Sequence, residues 1–127
     1  VGASHPLARK RKVDWADVLR YPWVIPPQVS PIRRELEHEL ALAGQPAPRY
    51  RVETGSTLVI VTMLQDGNLV APMSARLMTY FQALKQLVAL PLPYLREGNV
   101  GVIRRREVDD SPMLKTFMEG LRLGAQG

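Results

Sequence analysis

The sequence predicts an α/β fold with a mostly parallel sheet flanked by helices, and two local patterns predict it. The apolar run Trp23-Val24-Ile25 is closed by Pro26-Pro27, as expected for a buried strand, because proline cannot donate to a strand ladder. After Ser30-Pro31, the residues Ile32, Leu36 and Leu40 recur at a spacing of four, which indicates an amphipathic helix. Strand and helix patterns alternate in this way along the chain, and right-handed crossovers then make the sheet mostly parallel.

The remaining elements follow from periodicity and from proline and glycine punctuation. Alternation over 49–54 leaves one face of that strand in water, so we expect it at or near a sheet edge. The predicted elements are, in order, a short helix over 13–19, strand 23–26, helix 31–43 ended by Gly44, strand 49–54, helix 56–65, strand 69–71, a helix capped by Ser74 with Leu77, Met78, Phe81, Leu84 and Leu87 on its apolar side, strands 87–92 and 100–104, and a closing helix over 112–123.

The segment 58–64 is the ambiguous one, because Leu58-Val59-Ile60-Val61 is continuous and rich in β-branched residues. Periodicity permits a buried strand there. A helix is favoured because the preceding segment is already a strand and no turn long enough for a hairpin intervenes.

The junction from Pro26 to Ile32 is the best candidate for a ligand site. Ser30 occupies an N-cap position and Pro31 the first helical position, where its missing N–H costs nothing. A strand, a turn and a helix N-terminus together form the place where open α/β sheets bind ligands. The alternative is a purely structural cap, which Ser-Pro also provides near the C-terminus at Ser111-Pro112.

Composition limits the function classes. The 127 residues are enough for one domain, and the sequence contains no cysteine, which excludes disulfides and thiolate chemistry. His5 and His38 lack a nucleophile at a recognisable spacing, and Glu35, Glu37 and Glu39 indicate surface charge rather than a metal site. We therefore expect no enzymatic activity, no metal and no cofactor. No apolar run has transmembrane length, so no membrane partner is expected.

The net charge of +5 leaves a second function class open, a basic nucleic-acid-binding or adaptor module. The basic residues lie in Arg9–Lys12 and Arg104–Arg106, with Arg33-Arg34 and Arg49/Arg51 elsewhere. Neither long cluster is interleaved with aromatic residues that could stack on bases. We expect these charges on solvated loops and strand ends.

A set of short motifs follows in a fixed order along nearly the whole chain: His5-Pro6-Leu7-Ala8, Asp17-Val18-Leu19, Tyr21–Pro27, Ser30-Pro31-Ile32-Arg33, Val52–Ser56, Leu69-Val70-Ala71-Pro72, Leu90–Pro93, Val100–Ile103 and Ser111-Pro112. Their order and spacing resemble the effector-binding domain of LysR-type transcriptional regulators. The turn Asp66-Gly67-Asn68 stands where the family usually has a double glycine. In this respect the sequence resembles a branch of the family that includes regulators of sugar-binding-protein and aromatic-acid catabolic genes.

The resemblance implies a periplasmic-binding-protein-like (type 2) fold of two lobes, with a small-molecule effector in the cleft between them. It assigns about 6–95 to the second lobe, and 1–5 and 96–127 to the crossing strands and the C-terminal strand and helix of the first lobe. Most of the first lobe and the N-terminal winged helix-turn-helix domain would lie outside this chain. DNA would be bound only through that missing domain of a cytoplasmic bacterial regulator.

The same resemblance predicts the effector site and the partners. The expected effector-binding residues are Ser30, Pro31, Ile32, Thr54, Gly55 and Ser56. The expected effector is a carboxylate, an aromatic acid or a sugar. In this family the last helix covers the first lobe, so we expect its apolar face to pair with a second copy in a homodimer. That face contains Met113, Leu114, Phe117, Met118 and Leu121.

Overall fold

A short buried strand, β1 (Trp23–Ile25), lies at the centre of the sheet in the computed structural model, which describes residues 1–92 and 111–124. On one side β1 pairs in parallel with β2 (Tyr50–Glu53), and Ile25 is the register partner of Glu53. On its other side Trp23 forms a single parallel bridge with Val70. The prediction of a parallel sheet with 49–54 at its edge is confirmed.

A helix follows each of β1, β2 and the Val70 bridge, as the sequence predicts. The helical elements are a 3-10 turn (Pro6–Arg9), α1 (Trp15–Leu19), α2 (Pro31–Leu42), α3 (Thr57–Asp66), α4 (Ala75–Ala83) and α5 (Pro112–Gly124). The prediction of a helix rather than a buried strand over 58–64 is confirmed by α3. Gly44 has a φ of 64°, the left-handed conformation that ends α2 where expected.

Three predictions about the third strand and the segment after α4 are wrong. The strand expected over 69–71 is reduced to the isolated bridge at Val70. Helix α4 ends at Ala83, and Lys85 has a φ of 57°, so Leu87 is not part of the helical face. Leu87 is instead buried beside the sheet and forms an isolated antiparallel bridge with Gly2, and no strand spans 87–92. The strand predicted over 100–104 lies outside the described residues.

Two buried clusters pack on opposite sides of β1. Successive side chains of a strand point to opposite faces, so Trp23 and Ile25 join one cluster and Val24 joins the other. The first cluster includes Leu36 and Leu40 of α2, whereas the second is built largely from α3. The sheet is thus covered by helices on both faces, and all three side chains of β1 are buried.

His5 is buried and caps the 3-10 turn Pro6–Arg9. The residue is only 2% exposed, and its Nδ1 accepts a hydrogen bond of 3.1 Å from the Leu7 N–H. The ring also contacts Tyr21 at a centroid distance of 4.5 Å. Burial lowers the pKa of His5, because a charged imidazolium would lose its hydration. His38, in contrast, is exposed on α2.

The chain divides into two compact units, Val1–Arg96 and Glu97–Gly127. In the second unit the described element is α5, which confirms the predicted closing helix. Its apolar face is not buried, since Met113, Phe117 and Leu121 are 83%, 60% and 41% exposed. Within the described residues, none of the helices has the length and hydrophobicity needed to span a bilayer.

Two leucines of α2 provide a test of this packing. Leu36 is 2% exposed, whereas Leu42 at the end of the same helix is 65% exposed. Leu36→Ala should lower the free energy of unfolding by about 2 to 5 kcal/mol, because it removes buried methyl groups and leaves a cavity. Leu42→Ala should change it by less than about 0.5 kcal/mol. Urea unfolding followed by tryptophan fluorescence measures both, and equal effects would show that α2 does not pack through Leu36.

Candidate functional site

A pocket of about 170 Å³ lies where the loops that leave the parallel strands enter the helices. Three strand-to-helix junctions form its walls: the segment after β1, the segment after β2 and the segment after the Val70 bridge. The lining residues are Pro26, Pro27, Ser30, Ile32, Thr54, Gly55, Thr57, Ile60, Pro72, Met73, Ser74 and Leu77.

Of the six residues predicted to contact a ligand, four line this pocket: Ser30, Ile32, Thr54 and Gly55. Pro31 does not line it and is exposed at the first position of α2. Ser56 does not line it either, because its hydroxyl accepts the N–H of Val59 at 3.4 Å and caps α3. The structure therefore brings together the two predicted junctions. One predicted residue of each lies outside the pocket, Pro31 at the start of α2 and Ser56 at the cap of α3.

The third junction was missed by the sequence interpretation. Pro72, Met73, Ser74 and Leu77 complete the pocket, together with Thr57 and Ile60 of α3. A signal for it was present, since the sequence places a strand around Val70 and a helix cap at Ser74. In a parallel sheet the carboxyl ends of all strands meet at one edge, so the same argument that links the first two junctions includes this one.

Hydroxyl groups and apolar side chains share the lining. Ser30 and Ser74 occupy the N-cap positions of α2 and α4, yet neither side chain makes a capping hydrogen bond. Their hydroxyls are therefore not committed to the helix ends, and Thr54 and Thr57 add two more hydroxyls to the lining. Prolines, Ile60 and Leu77 supply apolar surface. This combination suits a ligand with a polar group and a carbon skeleton.

The electrostatic environment of the pocket comes from the backbone. The first turns of α2, α3 and α4 all contribute lining residues, and helix N-termini carry a partial positive charge and unpaired N–H groups. No charged side chain of the described residues lines the pocket. Neutral donors can therefore bind an anionic or a polyhydroxy group here.

The buried guanidinium of Arg33 lies next to two of these junctions. Its Nη1 donates to Glu53 Oε2 at 2.6 Å and to the Pro26 carbonyl oxygen at 3.3 Å, and its Nε donates to Glu37 Oε1 at 2.8 Å. The guanidinium carbon lies 5.0 Å from the centroid of the Tyr50 ring. The hydrogen bonds to Glu37 and Glu53 raise the pKa of Arg33 above its already high ordinary value.

The sequence predicts that the basic residues of the chain are solvated, and this prediction is wrong for Arg33, which is 5% exposed. Its neighbour Arg34 points to solvent, in agreement with the prediction. Glu37 is a surface charge, as predicted, and it pairs with Arg33. In the Arg9–Lys12 cluster the side chains are exposed and Lys10 pairs with Asp17 at 2.9 Å, whereas Arg104–Arg106 lie outside the described residues. The described residues hold no cluster suited to a metal ion.

A second depression, of about 500 Å³ and more open, lies at the opposite ends of the strands. Its lining includes Pro22, directly before β1, and Gly67-Asn68, directly after α3. No helix begins among its lining residues, so it lacks the converging N–H groups of the first pocket. We therefore take the junction pocket as the candidate functional site, although it is the smaller of the two.

Comparison with known proteins identifies the family. The model of the LysR substrate binding domain matches residues 1–125, and the chain belongs to this family. Membership implies the periplasmic-binding-protein-like fold, and the mixture of helices and a parallel sheet agrees with it.

Two relatives are transcriptional regulators. The HTH-type transcriptional regulator GbpR of Rhizobium radiobacter is 31% identical over 74 residues, which cover 58% of this chain and 24% of that protein. The HTH-type transcriptional regulator GalR of Pseudomonas putida is 32% identical over 101 residues, which cover 79% of this chain and 25% of that protein. The chain thus spans about a quarter of the length of these relatives.

Two N-cap serines, Ser56 and Ser74, provide a test of the division between capping and ligand binding. Ser56→Ala should accelerate hydrogen exchange at the Val59 amide and lower the free energy of unfolding by about 0.5 to 1 kcal/mol, near the low end for a cap because the bond is long. Ser74→Ala should leave the exchange of the first amides of α4 nearly unchanged, because its hydroxyl makes no capping bond. Equal losses in both helices would contradict the assignment of Ser74 to the pocket.

Proposed function

We propose that this chain is the effector-sensing part of a LysR-type transcriptional regulator and that the junction pocket is its part of the effector site. One observation carries the proposal: three strand-to-helix junctions of a chain in this family converge on one pocket, with four hydroxyls in its lining. The binding of an effector there would change how the regulator acts on its target DNA.

The effector is proposed to be a small carboxylate, an aromatic acid or a sugar. Helix N-termini and hydroxyls favour a carboxylate or a set of ligand hydroxyls. The apolar surface of Ile60, Leu77 and the prolines favours a ring or a carbon skeleton next to that polar group. The contacts are assigned to Ser30, Ile32, Thr54 and Gly55 from the sequence, with Thr57 and Ser74 added from the structure, and Pro31 and Ser56 act at the helix starts.

The small size of the pocket supports a site that is shared between two lobes. Ligand pockets usually have a volume of roughly 300 Å³ or more. At about 170 Å³, the described pocket is too small to enclose such a ligand. We propose that the first lobe of the regulator supplies the other side of the site and that a separate winged helix-turn-helix domain binds DNA, in the cytoplasm. A pocket on one lobe leaves much of a ligand in water, so this chain alone should bind the effector more weakly than the complete effector domain.

Loss of either junction hydroxyl should weaken the response to the effector. In the complete regulator, Ser30→Ala and Thr54→Ala should each raise the effector concentration needed for half-maximal response by about tenfold, because a polar contact worth about 1.4 kcal/mol is lost. Operator affinity without effector should be unchanged. Thr54→Ser, which keeps the hydroxyl, should restore most of the response, and Thr62→Ala in the second depression serves as the control. Normal induction of both alanine variants would refute the site.

The exposed face of α5 leads us to propose self-association. Met113, Phe117 and Leu121 lie at a spacing of four and are largely exposed. Burial of such a side chain is worth roughly 1.5 to 3 kcal/mol, so a second copy is a favourable partner. Analytical ultracentrifugation at high micromolar concentration should show a dimer, and Phe117→Glu should shift it to a monomer. A strictly monomeric parent chain would refute this proposal.

A further inference from the structure

The network around Arg33 contains two ion pairs that differ in what they connect. The pair with Glu37 joins residues four apart on the same helix. The pair with Glu53 joins α2 to the last residue of β2, across 20 residues of sequence. Only the second pair crosses from one junction of the pocket to another.

The positions of these groups relate Arg33 to the pocket. Arg33 is the third residue of α2 and directly follows Ile32, which lines the pocket. Glu53 directly precedes Thr54, the first lining residue of the second junction. Pro26, whose carbonyl oxygen accepts from Arg33, is the first lining residue of the first junction. One guanidinium therefore bonds to the chain at the start of both junctions.

Burial makes the arrangement rigid. The Arg33 side chain is 6% exposed, whereas the side chains of Glu53 and Glu37 are 54% and 43% exposed. The carboxylates are accessible to water and salt, which weakens each pair. The guanidinium, however, has little water with which to replace a lost partner, and a buried charge needs its hydrogen bonds. Loss of Glu53 should therefore disturb the position of Arg33 rather than simply expose it to solvent.

We propose that Arg33 is a positioning residue that fixes the separation of two pocket walls through its ion pair with Glu53, and thereby sets the affinity of the pocket for its ligand. This inference rests on the proposed function of the pocket. Arg33 itself does not line the pocket. Its guanidinium holds Ser30 and Ile32 on one side and Thr54 and Gly55 on the other. Preorganised walls bind more tightly because less ordering is required when the ligand enters.

The alternative is that Arg33 only stabilises α2, and the two glutamates separate these possibilities. Glu53→Gln and Glu37→Gln each remove one charge from a partner of the same guanidinium and keep the side-chain size. Glu37 also accepts from the Tyr50 hydroxyl at 3.4 Å, but Tyr50 begins β2, at the end of the strand away from the pocket. Glu37→Gln is thus a matched control for the loss of one ion pair without loss of the cross-junction bond.

Hydrogen exchange in the full 127-residue chain provides the first readout. The Thr54 N–H donates to the Ile25 carbonyl oxygen at 3.0 Å, and the Ser56 N–H donates to Thr54 Oγ1 at 3.2 Å, so both amides report on the second junction. In Glu53→Gln both should exchange about tenfold faster, in the range expected for coupled neighbours. In Glu37→Gln they should change by less than about twofold. Equal changes in the two variants, or no change in either, would overturn the positioning role.

Ligand titration provides the second readout, with benzoate and D-galactose as probes followed by amide chemical shifts. Where the unmodified chain binds a probe, Glu53→Gln should raise the dissociation constant about tenfold and Glu37→Gln should leave it nearly unchanged. Unchanged affinity in Glu53→Gln would overturn the link to binding. If the unmodified chain binds neither probe at millimolar concentration, that agrees with the weak binding expected of this chain alone; the response of the complete regulator then tests the proposed function, and the exchange rates still decide the role of Arg33.

Discussion

The pairing of the buried Arg33 guanidinium with Glu53 is the interaction on which the geometry of the candidate site depends. The pair joins α2 to the end of β2, and the same guanidinium also donates to the Pro26 carbonyl oxygen directly after β1. A charge that is 5% exposed requires nearly all its hydrogen bonds, so the surrounding backbone has little freedom to move. The loops that follow are short, and their positions are set by the elements on either side.

The rest of the site follows from the parallel sheet. Because β1 is buried on both faces, helices must cover it on both sides, and each helix begins after a strand has ended at the same edge. Three helix N-termini are thereby gathered at one pocket, and none of the described residues in its lining is charged. An arrangement of this kind binds a small polar or anionic ligand through neutral donors, which fits the sensory part of a LysR-type regulator.

Local patterns in the sequence predicted β1, α2 and α3 and two of the three junctions, because proline punctuation and helical periodicity act over a few residues. They did not predict the burial of Arg33. Arg33 and Arg34 are adjacent and chemically alike, and the partners that distinguish Arg33 include Glu53, which the fold brings from 20 residues away. Nor could they predict that Val70 forms a single bridge, since the length of a strand depends on its neighbours. Ser74 could have been included, because its cap and the preceding strand were both recognised.

The central claim is that a ligand binds at the three junctions and not elsewhere on the sheet. An amide chemical-shift map of the chain during titration with benzoate and with D-galactose tests it most directly. The account predicts that the largest shifts cluster at 30–32, 54–57 and 73–77, with little change around Thr62 and Asn68. The largest shifts at Thr62, Asp66 and Asn68, in the depression at the opposite ends of the strands, would contradict it.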